Sequence, residues 1–480
     1  EALVISHFVI VLTFNQRCLY SRLNDVEIDF ILSALNDALF NQRALANARR
    51  RVVRPRYGCM HVLPMIVTDP AARNGLAAYI AVTAAYWAFM LTDGALRMLV
   101  LLHFHILGFS PIQLAYLFLL YELMGVVTNL SAGWLAARFG LTSTLYAGLG
   151  LQIVALIALA GLDPDWPVWT SVLFVMAVQG LSGIAKDLAK MSAKSAVKVL
   201  APPEDGALFR WVAVLTGSKN AVKGCGFLLG AVLLGVAGFE TSVLAMAGVL
   251  IAILVAVAVC MPPGLPRGSK KAKFAEVWSK DRNINLLSAA RMFLFGARDT
   301  WFVVGIPLYF YAVLSDGSEA GNRAAFFQIG TFMAIWVIGY GAVQAAAPKI
   351  LKARNKPVAE IIGLAQLWVG LLAILPMILA GLALILVPSA TLTTALIIGL
   401  LAFGAVFALN SALHSYLILA FTSTGRVTMD VGFYYMANAA GRLIGTLLSG
   451  LSYQLGGLPL CLTTAALMLG LSWIFARRLA

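Results

Sequence analysis

Charge is what this chain has least of. Asp, Glu, Lys and Arg together make up 12% of its 480 residues, while 61% are hydrophobic, a balance that excludes an ordinary soluble domain and reads as a polytopic membrane protein. Acids are scarcer than bases, 21 against 35. In a soluble chain that excess would point to nucleic acid. Here most basic residues fall between or inside apolar runs, so membrane topology and an anionic ligand explain it, and no nucleic-acid partner is expected. Cys18, Cys59, Cys225, Cys260 and Cys461 show no CxxC or metal-ligand spacing, so they read as small apolar fillers rather than a disulfide framework or a zinc site. No nucleophile, base and acid set can be read either, so neither an enzyme nor a cofactor is expected.

What the chain has instead is long apolar runs. A bilayer core about 30 Å thick needs roughly 20 apolar helical residues to cross it. Twelve such segments follow residue 76, at about 76–106, 111–137, 142–161, 167–189, 208–236, 240–261, 286–313, 325–347, 358–386, 391–420, 430–455 and 458–477. They predict an N-terminal bundle over 76–261, a polar central loop over 262–285 and a C-terminal bundle over 286–480. Lys and Arg accumulate on the cytoplasmic side of membranes. Arg138, Lys198, Arg267, Lys270, Lys271, Lys349, Arg426 and Arg477 fall on one set of connections, whereas Asp163, Asp165, Glu240, Asp316 and Glu319 fall on the other. Both termini are therefore expected in the cytoplasm. Residues 1–75 stand apart: "ALVISHFVIVLTF" (2–14) is too short to span, and the stretch is expected to be a disordered or interfacial arm, or an over-extended reading frame ahead of Met60 or Met65.

The two halves echo each other. Asp93 is followed ten residues later by "HFH" (103–105) and Asp299 by "YFY" (309–311). Gly226 and Gly230 in the fifth segment are matched by Gly441 and Gly445 in the eleventh, the spacing that lets helices approach closely. With six plus six helices, these favour an all-α membrane protein built as two pseudo-symmetric six-helix bundles, the major facilitator arrangement.

An ionisable residue at the bilayer centre costs about 2.5 to 3.5 kcal/mol on insertion scales and so needs a partner or a purpose. Asp93 and Arg97 stand four apart in the order that suits a same-face pair, which is either a self-neutralised structural pair or a proton carrier that releases its arginine. Lys186, Lys190, Lys194 and Lys198 in "GIAKDLAKMSAKSAVK" form a narrow stripe along the fourth segment, with Asp187 able to neutralise one of them. Snorkelling to lipid headgroups suits Lys194 and Lys198 but not the deeper Lys186 and Lys190. Lys219, Asn220 and Lys223 lie several turns into a fifth segment that contains no acid. Arg298 and Asp299 are adjacent and point about 100° apart, so they are not expected simply to face each other; Arg442 lies deep in the eleventh segment. The deep bases Arg97, Lys186, Lys190, Lys219, Lys223, Arg298 and Arg442 outnumber the acids Asp93, Glu122, Asp187 and Asp299. Unpaired cations in low dielectric favour a multiply charged anion, held by bidentate Arg and point-charge Lys. Asp93, Glu122, Asp299 and His414 are candidate proton carriers.

"YWAFMLTDGALRMLVLLHFH" (86–105), "VTNLSAGWLAARFG" (127–140), "GIAKDLAKMSAKSAVK" (183–198) and "RWVAVLTGSKNAVKG" (210–224) closely resemble the ArsJ-type organoarsenical exporters of the major facilitator superfamily. The likeness runs from about residue 76 to the C-terminus. It implies a bacterial inner-membrane exporter of 1-arseno-3-phosphoglycerate, working as a monomer beside a glyceraldehyde-3-phosphate dehydrogenase that makes the substrate. Another phosphorylated organic anion is the alternative cargo, and a uniporter the alternative to proton antiport. "GWLAARFG" departs from the wider superfamily's G-x-x-x-D-R-x-G in placing Ala137 where the acid would stand, which removes the usual charge latch.

Overall fold

A computed structural model describes residues 70–200, 207–260, 279, 281–352, 356–422 and 427–479. The expectations for residues 1–69, for most of the central loop, and for the side chains of Arg138, Lys194, Lys198 and Arg210 lie outside the described set. The described chain is helical: α1 Pro70–Ile106, α2 Pro111–Phe139, α3 Leu141–Ala160, α4 Val168–Leu200, α5 Ala207–Ala237, α6 Phe239–Cys260, α7 Arg282–Phe302, α8 Gly305–Leu314, α9 Glu319–Ile350, α10 Val358–Ile385, α11 Ala390–Phe421 and α12 Val427–Ala476. The chain divides into two compact units. One holds the start of α1 and the end of α6, and the other, Val82–Leu254 with Leu265–Ala480, holds every residue discussed below.

Ten helices among the described residues are long and apolar enough to cross a membrane. One of them, α12, is two: Gly456 and Gly457 leave helical geometry, and at φ 62 and ψ −157 Gly457 occupies a region that only glycine enters without strain. α7 and α8 together supply a further crossing, broken at Val303 and Val304, where Ser449 Oγ accepts the freed backbone N–H groups of Val304 (3.0 Å) and Gly305 (3.3 Å). A break at membrane depth is tolerated because that hydroxyl replaces the missing helical acceptor. Peripheral α10 exposes Leu367, Leu371, Ile374 and Ile378 along one stripe, an apolar face that water would penalise and acyl chains would cover.

Small residues fix how the helices meet. A side chain on Gly226 or Gly230 would strike the backbone of α1 at Leu91 and Ala95, and one on Gly441 or Gly445 that of α7 at Met292 and Gly296. The fifth helix of the first half thus lies on its first helix, and the corresponding pair in the second half does the same. The halves meet along α5 with α9, where Gly341 lies against Asn220, and along α2 with α12, where Gly450 lies against Pro111 and Ala115. Near the Ile106 end of α1 the "HFH" and "YFY" motifs touch, His105 against Tyr311 edge-on with centroids 4.8 Å apart, and Ile112 N donates to Gln454 Oε1 at 3.2 Å.

Candidate functional site

Charged side chains from six helices converge midway along this interface. On α1, Asp93 and Arg97 are four residues apart but do not pair with each other, contrary to the expected same-face pair. Asp93 accepts from Lys223 Nζ of α5 at 2.8 Å and from the Tyr121 hydroxyl of α2 at 2.5 Å. Arg97 Nη2 reaches instead to Glu122 Oε1 of α2 at 2.5 Å. Neighbouring helices offer each group a better-placed partner than its own helix does, because close packing through Gly94 and Gly226 brings α5 to the acid.

Tyr121 is the hub. Its hydroxyl serves Asp93, while its face carries Lys186 Nζ 3.9 Å and the Arg97 guanidinium carbon 4.9 Å from the centroid. Next to it, Glu122 is 1% exposed and bridges the two halves, since its Oε1 accepts from both Arg97 and Arg442 Nη2 at 2.5 Å each. Its Oε2 has no hydrogen-bond partner among the described residues. Arg442 also donates through Nε to Asp299 Oδ2 at 3.1 Å. Arg298 pairs with Asp299 despite being its neighbour, Nε to Oδ1 at 2.6 Å; the long side chain folds back across the 100° that separates their Cβ directions. The result is a chain of alternating charge, Arg97, Glu122, Arg442, Asp299, Arg298.

On α4, Asp187 is fully buried and accepts from Lys190 Nζ and Thr128 Oγ1, both at 2.5 Å, while Lys190 also donates to Asn129 Oδ1 at 2.9 Å. Lys186, 8% exposed, makes no hydrogen bond or ion pair among the described residues; the Tyr121 ring lies against its amine, and Asp187, Glu122 and Asp93 attract it from farther off. Lys219 is half-buried on α5, and Asn220 is turned to α9. His414 is fully buried in α11 beside Arg291 rather than in this cluster.

Asp93, Glu122, Asp187 and Asp299 thus stand among Arg97, Lys186, Lys190, Lys223, Arg298 and Arg442, with cations in excess. Sequence reasoning missed Tyr121, Thr128 and Asn129, and left out Arg291. The adjacency of Tyr121 to Glu122 and the "VTN" at 127–129 were the available signals. Among the described residues no group of three or more His, Cys, Asp or Glu could hold a metal ion. Two crevices of about 280 and 310 Å³, beside Tyr309 and Tyr453 and beside Phe310 and Phe332, are lined by uncharged residues and offer nothing to an anion.

The family model described as Major Facilitator Superfamily matches residues 78–414. A search of curated proteins gives no sequence match. Among solved structures, the chain is similar to the nucleoside transporter NupG, with a TM-score of 0.61 and 16% identity over 84% of this chain and 98% of that one. It is similar in the same way to a POT family transporter in complex with a thioalcohol-conjugated peptide, with a TM-score of 0.62 and 15% identity over 84% and 95%. A structure from work on substrate recognition in proton-dependent oligopeptide transporters follows at 0.60 and 14%, over 84% and 98%. At these identities the likeness is one of fold.

Proposed function

The chain belongs to the Major Facilitator Superfamily, and from that premise we propose that this multi-pass membrane transporter exports a small, multiply charged organic anion by alternating access. The cargo that best suits it is 1-arseno-3-phosphoglycerate, whose removal from a bacterial cytoplasm would confer arsenate resistance. In this reading the chain sits in the inner membrane with both termini inside, acts as a monomer, and works beside a glyceraldehyde-3-phosphate dehydrogenase. Lys186, Lys190, Lys219 and Lys223 meet one anionic head and Arg298 and Arg442 the other, with Arg97 and Asn220 beside them. Asp93, Glu122 and Asp299 carry protons in exchange.

One observation carries the reading: Lys186 is buried and forms no direct ion pair with a carboxylate among the described residues, in a cluster where cations already outnumber acids. A desolvated ammonium is costly in the empty protein and becomes favourable when an anion arrives. Likeness of sequence motifs to the ArsJ-type exporters supports the particular cargo. The test is transport into everted vesicles carrying Lys219→Gln. Export is expected to vanish while protein abundance holds, and normal export would remove Lys219 from the site. Competition by 3-phosphoglycerate against glycerol phosphate separates the arsenylated cargo from other phosphorylated anions. Transport indifferent to an imposed pH gradient would count against proton exchange.

A further inference from the structure

A second buried cation lies outside the central cluster. Arg291 of α7 is 5% exposed and has no carboxylate partner among the described residues. Its hydrogen bonds go to neutral acceptors: Nε to Asn438 Oδ1 of α12 at 3.1 Å, and Nη1 to the backbone oxygen and Oγ of Ser411 of α11 at 3.0 Å each. Gln344 of α9 donates to the same Ser411 Oγ at 3.2 Å, so that acceptor is shared.

Around Arg291 there are donors left over. Both ring nitrogens of fully buried His414, one turn beyond Ser411, have no partner among the described residues, and neither has the hydroxyl of Ser288, one turn before Arg291. A guanidinium, an imidazole and a hydroxyl with no carboxylate bonded to any of them among the described residues present the complement of an oxyanion. Phe295 ties this place to the central cluster, because its ring is 4.0 Å from the Arg291 guanidinium carbon and 5.0 Å from that of Arg298. The two guanidinium carbons are therefore at most about 9 Å apart, a span that the two ends of an extended three-carbon bis-anion can bridge.

We propose that Arg291, with His414 and Ser288, forms a second oxyanion subsite about two turns along α7 from Arg298. It would receive a phosphate-like head while the central cluster holds the other. The assignment of the ligand to a two-headed organic anion rests on the transport reading above; the subsite itself rests on the unmatched donors.

Arsenate is a suitable probe, because arsenic scatters anomalously. Crystals of the full chain grown with arsenate, measured at the arsenic edge, are expected to show one peak against Arg291 and His414 and another against Lys186 and Arg442. A peak at the central cluster alone overturns the subsite and leaves the transport reading standing. A peak against Arg291 alone upholds the subsite and counts against that reading, and no peak at either place overturns both. In binding assays on the purified chain, Arg291→Gln should weaken 3-phosphoglycerate at least tenfold, with Arg291→Lys intermediate as a variant that keeps the charge and the fold. Unchanged binding in both variants would overturn the proposal.

Discussion

Replacing Lys186 with Met separates a functional cation from a structural one, because the two roles give opposite signs. Lysine and methionine are similar in length, so packing against Tyr121 is largely kept. Burying an ammonium costs several kcal/mol after relaxation, and the face of one tyrosine returns about 2 kcal/mol. Asp187, Glu122 and Asp93 attract the ammonium from beyond ion-pair distance and offset only part of the rest. Exchanging buried ions for apolar groups has stabilised proteins by about 1 to 4 kcal/mol, so Lys186→Met should stabilise the empty protein by about 2 kcal/mol and raise its melting temperature by a few degrees. The bound state should respond the other way. Two unit charges about 5 Å apart at an effective dielectric near 20 attract by about 3 kcal/mol, so losing this cation should weaken a bound anion by about a hundredfold. A ligand present at 100 times its Kd stabilises by about 2.7 kcal/mol; after such a loss the same concentration would give about 0.4 kcal/mol. Thermal unfolding of the purified chain with and without 3-phosphoglycerate reads both effects. A variant that melts lower when empty yet keeps its full ligand-induced shift would refute the reasoning and make Lys186 part of the scaffold.

Three further outcomes follow from the geometry. Lys223→Gln leaves Asp93 with the Tyr121 hydroxyl as its one hydrogen-bond partner among the described residues and should destabilise by about 3 kcal/mol, as breaking one side of a buried pair does; adding Asp93→Asn should restore most of the stability in unfolding assays without restoring transport. Gly441→Ala sets a methyl against the Met292 backbone, so the α7 and α12 contact must open, and folded protein recovered from membranes should fall by several-fold. Ser449→Ala strips the acceptor from two buried N–H groups at the α7 and α8 break; a loss of about 1 to 3 kcal/mol is expected, and Ser449→Thr, which keeps the hydroxyl, should recover it.

The helices were legible because a bilayer imposes a length on apolar runs, and that length is local information. The segment read at 391–420 is α11 at Ala390–Phe421, and the small residues of the fifth and eleventh segments lie where the repeat placed them. Partners were not legible. Spacing along one helix tells which residues share a face, but not which neighbouring helix that face meets. Asp93 therefore looked like the partner of Arg97, whereas the structure gives it Lys223. Arg298 and Asp299 looked too divergent to pair because the directions of their Cβ atoms ignore the reach of a guanidinium. Arg291 stands beside no acid and in no motif, so only its burial within the bundle marks it out.

The echo between the halves is also less exact than the motifs imply. By helix packing, Gly226 lies against Leu91 and Gly441 against Met292. Asp93 then stands two residues beyond its contact and Asp299 seven beyond, while Lys223 stands three before its glycine and Arg442 one after. The two acid and base pairs, each joining the first and fifth helices of a half, are thus staggered by four to five residues, rather more than one turn. Staggering lifts Arg442 out of a private pair with Asp299 and lets it reach Glu122 across the interface. It also leaves the wall of α7 below Arg298 to Arg291 and its neutral partners, with no counterpart in α1, where the packing-equivalent residue is Met90. A strictly symmetric site would treat both ends of a bound anion alike. This one offers a lysine-rich end in the first half and an arginine-rich end in the second, which suits a cargo whose two charged heads differ.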